Sequence, residues 1–428
     1  MRSTRTRGVL AVAVFATMLT AACGGGGGGG GGQPAKANGP VTLTWWHNGT
    51  TDPLKSVWED AAKGFQKTHP NVTIKVDPIQ NEQFTTKVPV ALQSSSPPDI
   101  YQQWGGGQEA TQVRSGKVMD ITSASKGWIS ELGKAADGWK ANGRQYGVPY
   151  DLHIVGFWYR KDLLAKAGIS SAPTTVDELD ADVAKLKKAG VVPIAIGSKD
   201  RWPDAFWWEY FALRECAPSV LQQSMKAIQF SDPCFTKAGQ DTKAFMATKP
   251  FQPGFLGTPA QQGAGSSAGM VANGKAAMEL QGDWEPSVMS ALSSDKKLNA
   301  KLGWFPFPAV SGGKGDPNAA LGGGDGFSCT TKATTACVDF LKYISSLPVQ
   351  KQLVTSGAAS LPANPAAASA ITNATVKQVL DYSKQASFIQ TYFDIALPTA
   401  PGQALDDAVA NFFAGQGGPD AITSSVSQ

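Results

Sequence analysis

Three extended segments separated by two helical ones open the foldable part of the chain, and that alternation constrains the architecture more than any other feature. Val41 to Trp46 (VTLTWW) is rich in β-branched and aromatic residues. Asp52-Pro53 then begins a stretch in which Leu54, Val57, Trp58, Ala61, Ala62 and Phe65 recur near helical spacing, until His69-Pro70-Asn71 stops it. Val72, Ile74 and Val76 alternate as a second strand, a second helix covers about Glu82 to Gln93, and PPDIYQQWGGG supplies a third strand and its loop. Strands joined through helices run parallel, so this segment predicts an α/β fold whose sheet is covered by helices.

A second α/β set follows. Val148 to Asp151 and Ile154 to Tyr159 read as extended, Val176 to Ala189 as a helix burying Val183 and Leu186, and Val191 to Ile196 as a strand. Further helices are expected at Trp202 to Leu213, Thr236 to Ala247, Ser266 to Asn273 and Thr334 to Ser345, and Gly303-Trp304-Phe305 reads as extended. From Val349 the pattern is helical, with Val409, Phe412 and Phe413 on one face. At 428 residues the chain exceeds one ordinary core. Two lobes joined by extended segments near 149–154 and 318–326 account for the pattern. The first takes 41–150 plus about 319–346; the second takes 151–318 plus about 347–428.

Residues 1–23 belong to neither lobe. Arg2, Arg5 and Arg7 precede the apolar run Val9 to Leu19, and Ala21-Ala22-Cys23 offers a small-residue cleavage site, which together read as an export signal. Thr20-Ala21-Ala22-Cys23 resembles the bacterial lipoprotein box, although Thr20 stands where an aliphatic residue is usual; the resemblance implies lipid on Cys23. Gly24 to Gly32, continuing through residue 40, form a flexible tether. Without the three signal arginines, 35 basic residues face 34 acidic ones, a balance that argues against a nucleic-acid partner. In an exported chain Cys216, Cys234, Cys329 and Cys337 are free to form disulfides. Cys216 with Cys234 and Cys329 with Cys337 close the shortest loops, and two other connectivities remain open.

The segment Gly274 to Pro286 (GKAAMELQGDWEP) reads as a buried strand that breaks at Gln281-Gly282-Asp283 and turns into a helix at Trp284. Ligands of open α/β sheets bind at strand carboxyl ends. An indole covers apolar C–H faces while Asp and Gln take hydroxyls, the combination a neutral sugar requires; the plain alternative is a core tryptophan. Gly265-Ser266-Ser267-Ala268-Gly269 matches a nucleophile elbow in letters, but no strand precedes it and His47, His69 and His153 all lie upstream. GMVANGK (Gly269 to Lys275) lacks the Ser or Thr a phosphate loop needs at 276 and reads better as a helix end. With three scattered histidines and no Cys/His cluster, neither a metal nor another cofactor is expected. Asp151, Asp283 and Asp325 keep a paired-carboxylate glycoside hydrolase as the alternative function. A surface adhesin for polymeric xylan is a third.

VTLTWWHNG, PPDIYQQWGGG, GVPYDLHIVGFWYRKDLLAKAGI, GKAAMELQGDWEPSV and LGGGDGFSC resemble the extracellular solute-binding lipoproteins of carbohydrate ABC importers. The resemblance is to the maltose-binding group broadly and to actinobacterial xylobiose and oligosaccharide binders more closely, over residues 41–428. It implies a two-lobed periplasmic-binding-protein-like α/β fold with a hinge, and a short oligosaccharide in the cleft. Ligand contacts are then expected from His47, Asn48, Gln80, Asn81, Gln103, Trp104, Asp151, His153, Asp283, Trp284 and Asp325, with one of Trp207 and Trp208 facing the cleft. It further implies a monomer without catalytic activity, lipid-anchored on the outer face of a bacterial, Gram-positive membrane. There it would deliver xylobiose or a related sugar to permease subunits.

Overall fold

The computed structural model describes residues 39–426. The signal, Cys23 and the glycine run of the tether lie outside the described residues. The expected strand–helix alternation at the start produces a five-stranded sheet ordered Val72–Pro78, Val41–His47, Ile100–Gln103, Gly326–Cys329, Gly147–Pro149. The first three strands are parallel and the last two join antiparallel. Behind it the helix Leu54–Thr68 packs Trp58 and Phe65 against Trp45, Phe327 and Phe340, a cluster of edge-to-face rings.

The ten-residue strand Asp151–Arg160 organises the second sheet. Ala276–Gly282, Leu302–Phe305, Ala320–Gly323 and Leu361–Pro362 all pair antiparallel with parts of it. Val192–Ile194 and Ile389–Thr391 add the two outer edges in parallel. The chain crosses between the sheets at Tyr150 and again between Gly323 and Gly326, so Ala320–Gly323 belongs to the second sheet rather than to lobe 1. The helix Leu347–Ser356, expected in lobe 2, instead buries Val349 and Leu353 in the first core. Only after Ala359 does the chain join the second sheet, and the tail beyond Val349 contains the strands Leu361–Pro362 and Ile389–Thr391 among its helices.

Cys216 is bonded to Cys234 and Cys329 to Cys337, over separations of 18 and 8 residues. Among the described residues no helix is long and apolar enough to cross a membrane.

Candidate functional site

Strand register brings three distant acids onto one histidine. Val155 opposes Gly282, so Asp283, one residue on, arrives beside Ile154 and His153. Gly323 opposes His153, and two residues later Asp325 turns back over Asp151. The Asp283 carboxylate accepts from His153 Nδ1 at 2.9 Å and from the Ile154 amide at 3.1 Å. On the other side of the ring, His153 Nε2 lies 3.2 Å from Asp151 and 3.6 Å from Asp325. The Asp325 amide donates to Asp151 at 3.0 Å, and the Tyr150 hydroxyl donates to Asp325 at 2.9 Å. Burial pulls the His153 pKa down, but Asp151 and Asp283 outweigh it by charge and hydrogen bond and push it well above its ordinary value. Burial raises Asp151 to about 7 against the opposing charge of His153. The result is a histidine clasped between carboxylates at the point where both sheets meet. Ligand atoms of Asp151, His153 and Asp325 lie within 4.8 Å of one another. Both ring nitrogens of the histidine are turned to carboxylates.

Around this clasp stand aromatic rings. Trp284 meets His153 edge-on at 4.8 Å, with Trp202 at 6.2 Å and Tyr392 at 6.5 Å. Four buried polar atoms here have no protein partner: Asp283 Oδ2, the Tyr392 hydroxyl and the indole nitrogens of Trp202 and Trp284. Each costs roughly 1–3 kcal/mol in that condition. Asp204, two residues after Trp202, is by contrast tied to the Ser198 hydroxyl at 2.6 Å.

From the first lobe, Trp104 reaches across. Its ring packs edge-on against Phe84 at 5.7 Å on one side and touches the core of the second lobe on the other. Asn48 donates to Asn81 at 3.1 Å, which aligns two carboxamides at the ends of the first two strands. Gln80 is half-buried beside them, its carbonyl starting the helix Asn81–Gln93. Gln262 of the second lobe donates to Glu82 of that helix at 2.9 Å, a direct hydrogen bond between lobes.

Four expected site residues sit elsewhere than a ligand contact requires. Trp207 and Trp208 are both core: the first packs on Phe157, Phe245 and Phe251, the second on Phe230, Phe235 and Phe393. Their helix, Trp202–Glu215, is buried on every side, its charged residues Asp204, Glu209 and Arg214 included, and neither ring faces the cleft. The Gln103 carboxamide is engaged inside the first lobe, accepting from the amides of Trp104 and Gly105 and donating to Gln112. His47 is fully buried under Trp45, its Nδ1 accepting from the Gly49 amide, and burial lowers its pKa to about 3. Both residues shape the loop that presents Trp104 and Asn48. The glycines after Trp104 serve protein packing, because a Cβ on Gly107 would lie 2.4 Å from the Ala396 carbonyl oxygen. Trp202 and Tyr392 stand outside the expected set, since Trp202 carries no mark separating it from its buried neighbours and Tyr392 arrives from far along the chain. Ser267 of the elbow-like motif is buried and donates to the Ala260 carbonyl.

The model of the bacterial extracellular solute-binding protein family matches residues 48–351. The chain belongs to that family. It is 26% identical over 333 residues to an uncharacterized ABC transporter extracellular-binding protein of Pyrococcus horikoshii, covering 70% of this chain and 68% of the relative. It is 26% identical over 355 residues to the diacetylchitobiose binding protein DasA of Streptomyces coelicolor, covering 79% and 77%. Among solved structures, one from work on xylan utilization by Caldanaerobius polysaccharolyticus superposes with a TM-score of 0.83 at 26% identity, over 90% of this chain and 98% of the other. The two-lobed solute-binding architecture is therefore shared along nearly the whole described chain.

Proposed function

We propose that this protein is the sugar-binding component of an ABC importer, holding a short neutral oligosaccharide between its lobes and releasing it unchanged to a permease. The observation that carries the reading is the wall of Trp284, Trp202 and Tyr392, where Asp283 Oδ2, the Tyr392 hydroxyl and the Trp202 nitrogen are buried without protein partners. Indole faces cover pyranose C–H surfaces, and sugar hydroxyls satisfy those polar atoms. Contacts from Trp104, Asn48 and Asn81 on the opposite lobe make binding favour the closed arrangement, because only that arrangement engages both walls. Asp151, His153 and Asp325 then act as a preorganised floor at the hinge. Lipid on Cys23 would keep the body at the outer membrane face, and the chain would act as a monomer.

Short β-linked sugars are the preferred ligands, xylobiose and xylotriose first, because flat equatorial rings offer two faces for stacking. The xylan and diacetylchitobiose relatives support a β-linked class. Titration calorimetry with xylo-, cello-, chito- and malto-oligosaccharides tests this. One sugar bound per chain and recovered intact is the expected result. Heat from maltose alone removes the β-linked preference, and shortened sugars after overnight incubation would establish hydrolysis instead.

A further inference from the structure

Residues of both lobes line a groove of about 160 Å³. Pro53 and Ser356 line it from the first lobe; Pro286, Ser287, Ser290 and Thr372 line it from the second. None of its lining residues carries a charge. Chain connections and one hydrogen bond relate the groove to the candidate site. Pro53 follows the loop that carries Asn48, and Pro286 and Ser287 come just after Trp284-Glu285 in the chain. Ser360, also in the lining, donates its hydroxyl to the Asp283 carbonyl at 2.6 Å. Hydroxyls alternate here with proline and aliphatic surfaces, and no aromatic ring is present. Such a lining accepts an uncharged polyol through hydrogen bonds and flat apolar contact, and it disfavours an anion or cation, which would lose its hydration without a counter-charge.

We propose that this groove is a further sugar subsite, which takes the next unit of a neutral oligosaccharide whose first units lie against Trp284. The proposal rests on the cleft's being a sugar site. It assigns chain-length preference to Ser287, Ser290 and Ser356 rather than to the aromatic rings. Because the two lobes contribute opposite walls, the extra unit contacts both and adds to closure.

Calorimetry on the lipid-free mature chain with xylobiose, xylotriose and xylotetraose, and with the matching cello- and chito- series, reads the subsite directly. The wild type is expected to gain about tenfold or more in affinity on adding the unit that enters the groove, worth about 1.4 kcal/mol per tenfold. Ser290→Trp fills the groove from the second lobe and is expected to remove that gain while leaving disaccharide affinity within about twofold. Ser356→Trp, from the opposite wall and equally exposed, should do the same and covers the case in which the first variant does not fold. A length gain that survives both fillings, or wild-type affinity that does not rise with length, overturns the subsite and leaves the cleft reading standing. Failure of every sugar to bind the wild type overturns both.

Discussion

Gly282 has no side chain of its own to offer, yet it sets where Trp284 stands. A Cβ built on Gly282 would lie 2.1 Å from Trp284 Cζ3, 2.3 Å from Cη2 and 2.4 Å from Cε3. The backbone of Gly282 is not in the left-handed region, so alanine meets no backbone strain there. The whole conflict falls on the indole, a rigid ring that has to move by more than an ångström to restore ordinary contact. Overpacking of this kind costs about 1–3 kcal/mol. If the ring swings away from His153 and Tyr392, that cost is transferred to ligand binding, and Gly282→Ala should raise the sugar Kd about 5- to 150-fold. Calorimetry on a double-mutant cycle with Trp284→Ala is the assay. In the Trp284→Ala background, Gly282→Ala is expected to change Kd less than about threefold, because the ring it displaces is gone. An equal penalty in both backgrounds would refute the reasoning, as would unchanged affinity in Gly282→Ala alone.

Trp207→Ala should cost about 3–5 kcal/mol of stability, seen as a lower Tm, with affinity in the folded fraction unchanged, as befits a core ring. Gln262→Ala removes the hydrogen bond to Glu82 across the lobes and should speed sugar release about 2- to 12-fold, from about 0.5–1.5 kcal/mol, in stopped-flow tryptophan fluorescence. Unaltered release would show that this contact does not hold the lobes together. Burial pushes Glu109 from 4.5 to about 8, and Asp204 and Glu285 also to about 8. Between their ordinary values and about pH 8 the unfolded chain has lost protons the folded chain still holds, so stability falls as pH rises. Thermal melts from about pH 5 to 8 should show a declining Tm, and Glu109→Gln should flatten that decline.

The fold was legible wherever local pattern and burial coincide. The VTLTWW strand, the amphipathic helix Leu54–Thr68 and the GDW break all stand where their residue spacing placed them. Asp283 was legible as a strand-end residue, and Asp151, His153 and Asp325 as contacts implied by the family resemblance, but their convergence comes from register across three strands, which no local window contains. The tryptophans divided differently. A helix with aromatic and aliphatic residues around its circumference does not tell cleft from core, and for Trp207 and Trp208 tertiary packing decided for the core. Three glycines after Trp104 suggest an exposed ring with backbone N–H groups open at close range; Gly106 and Gly107 instead pack closely on the Ile395 and Ala396 backbone. The switch of lobes at Gly323 and the placement of Leu347–Ser356 depend on which core each strand and helix finds, and neither leaves a mark in composition.

A crystal structure of the mature chain grown with xylotriose is the most direct measurement. An intact sugar lying between Trp104 and Trp284, with hydroxyls bonded to Asp283 and Tyr392, is the predicted result. A cleaved product, or a sugar bound outside the space between the lobes, would contradict the account.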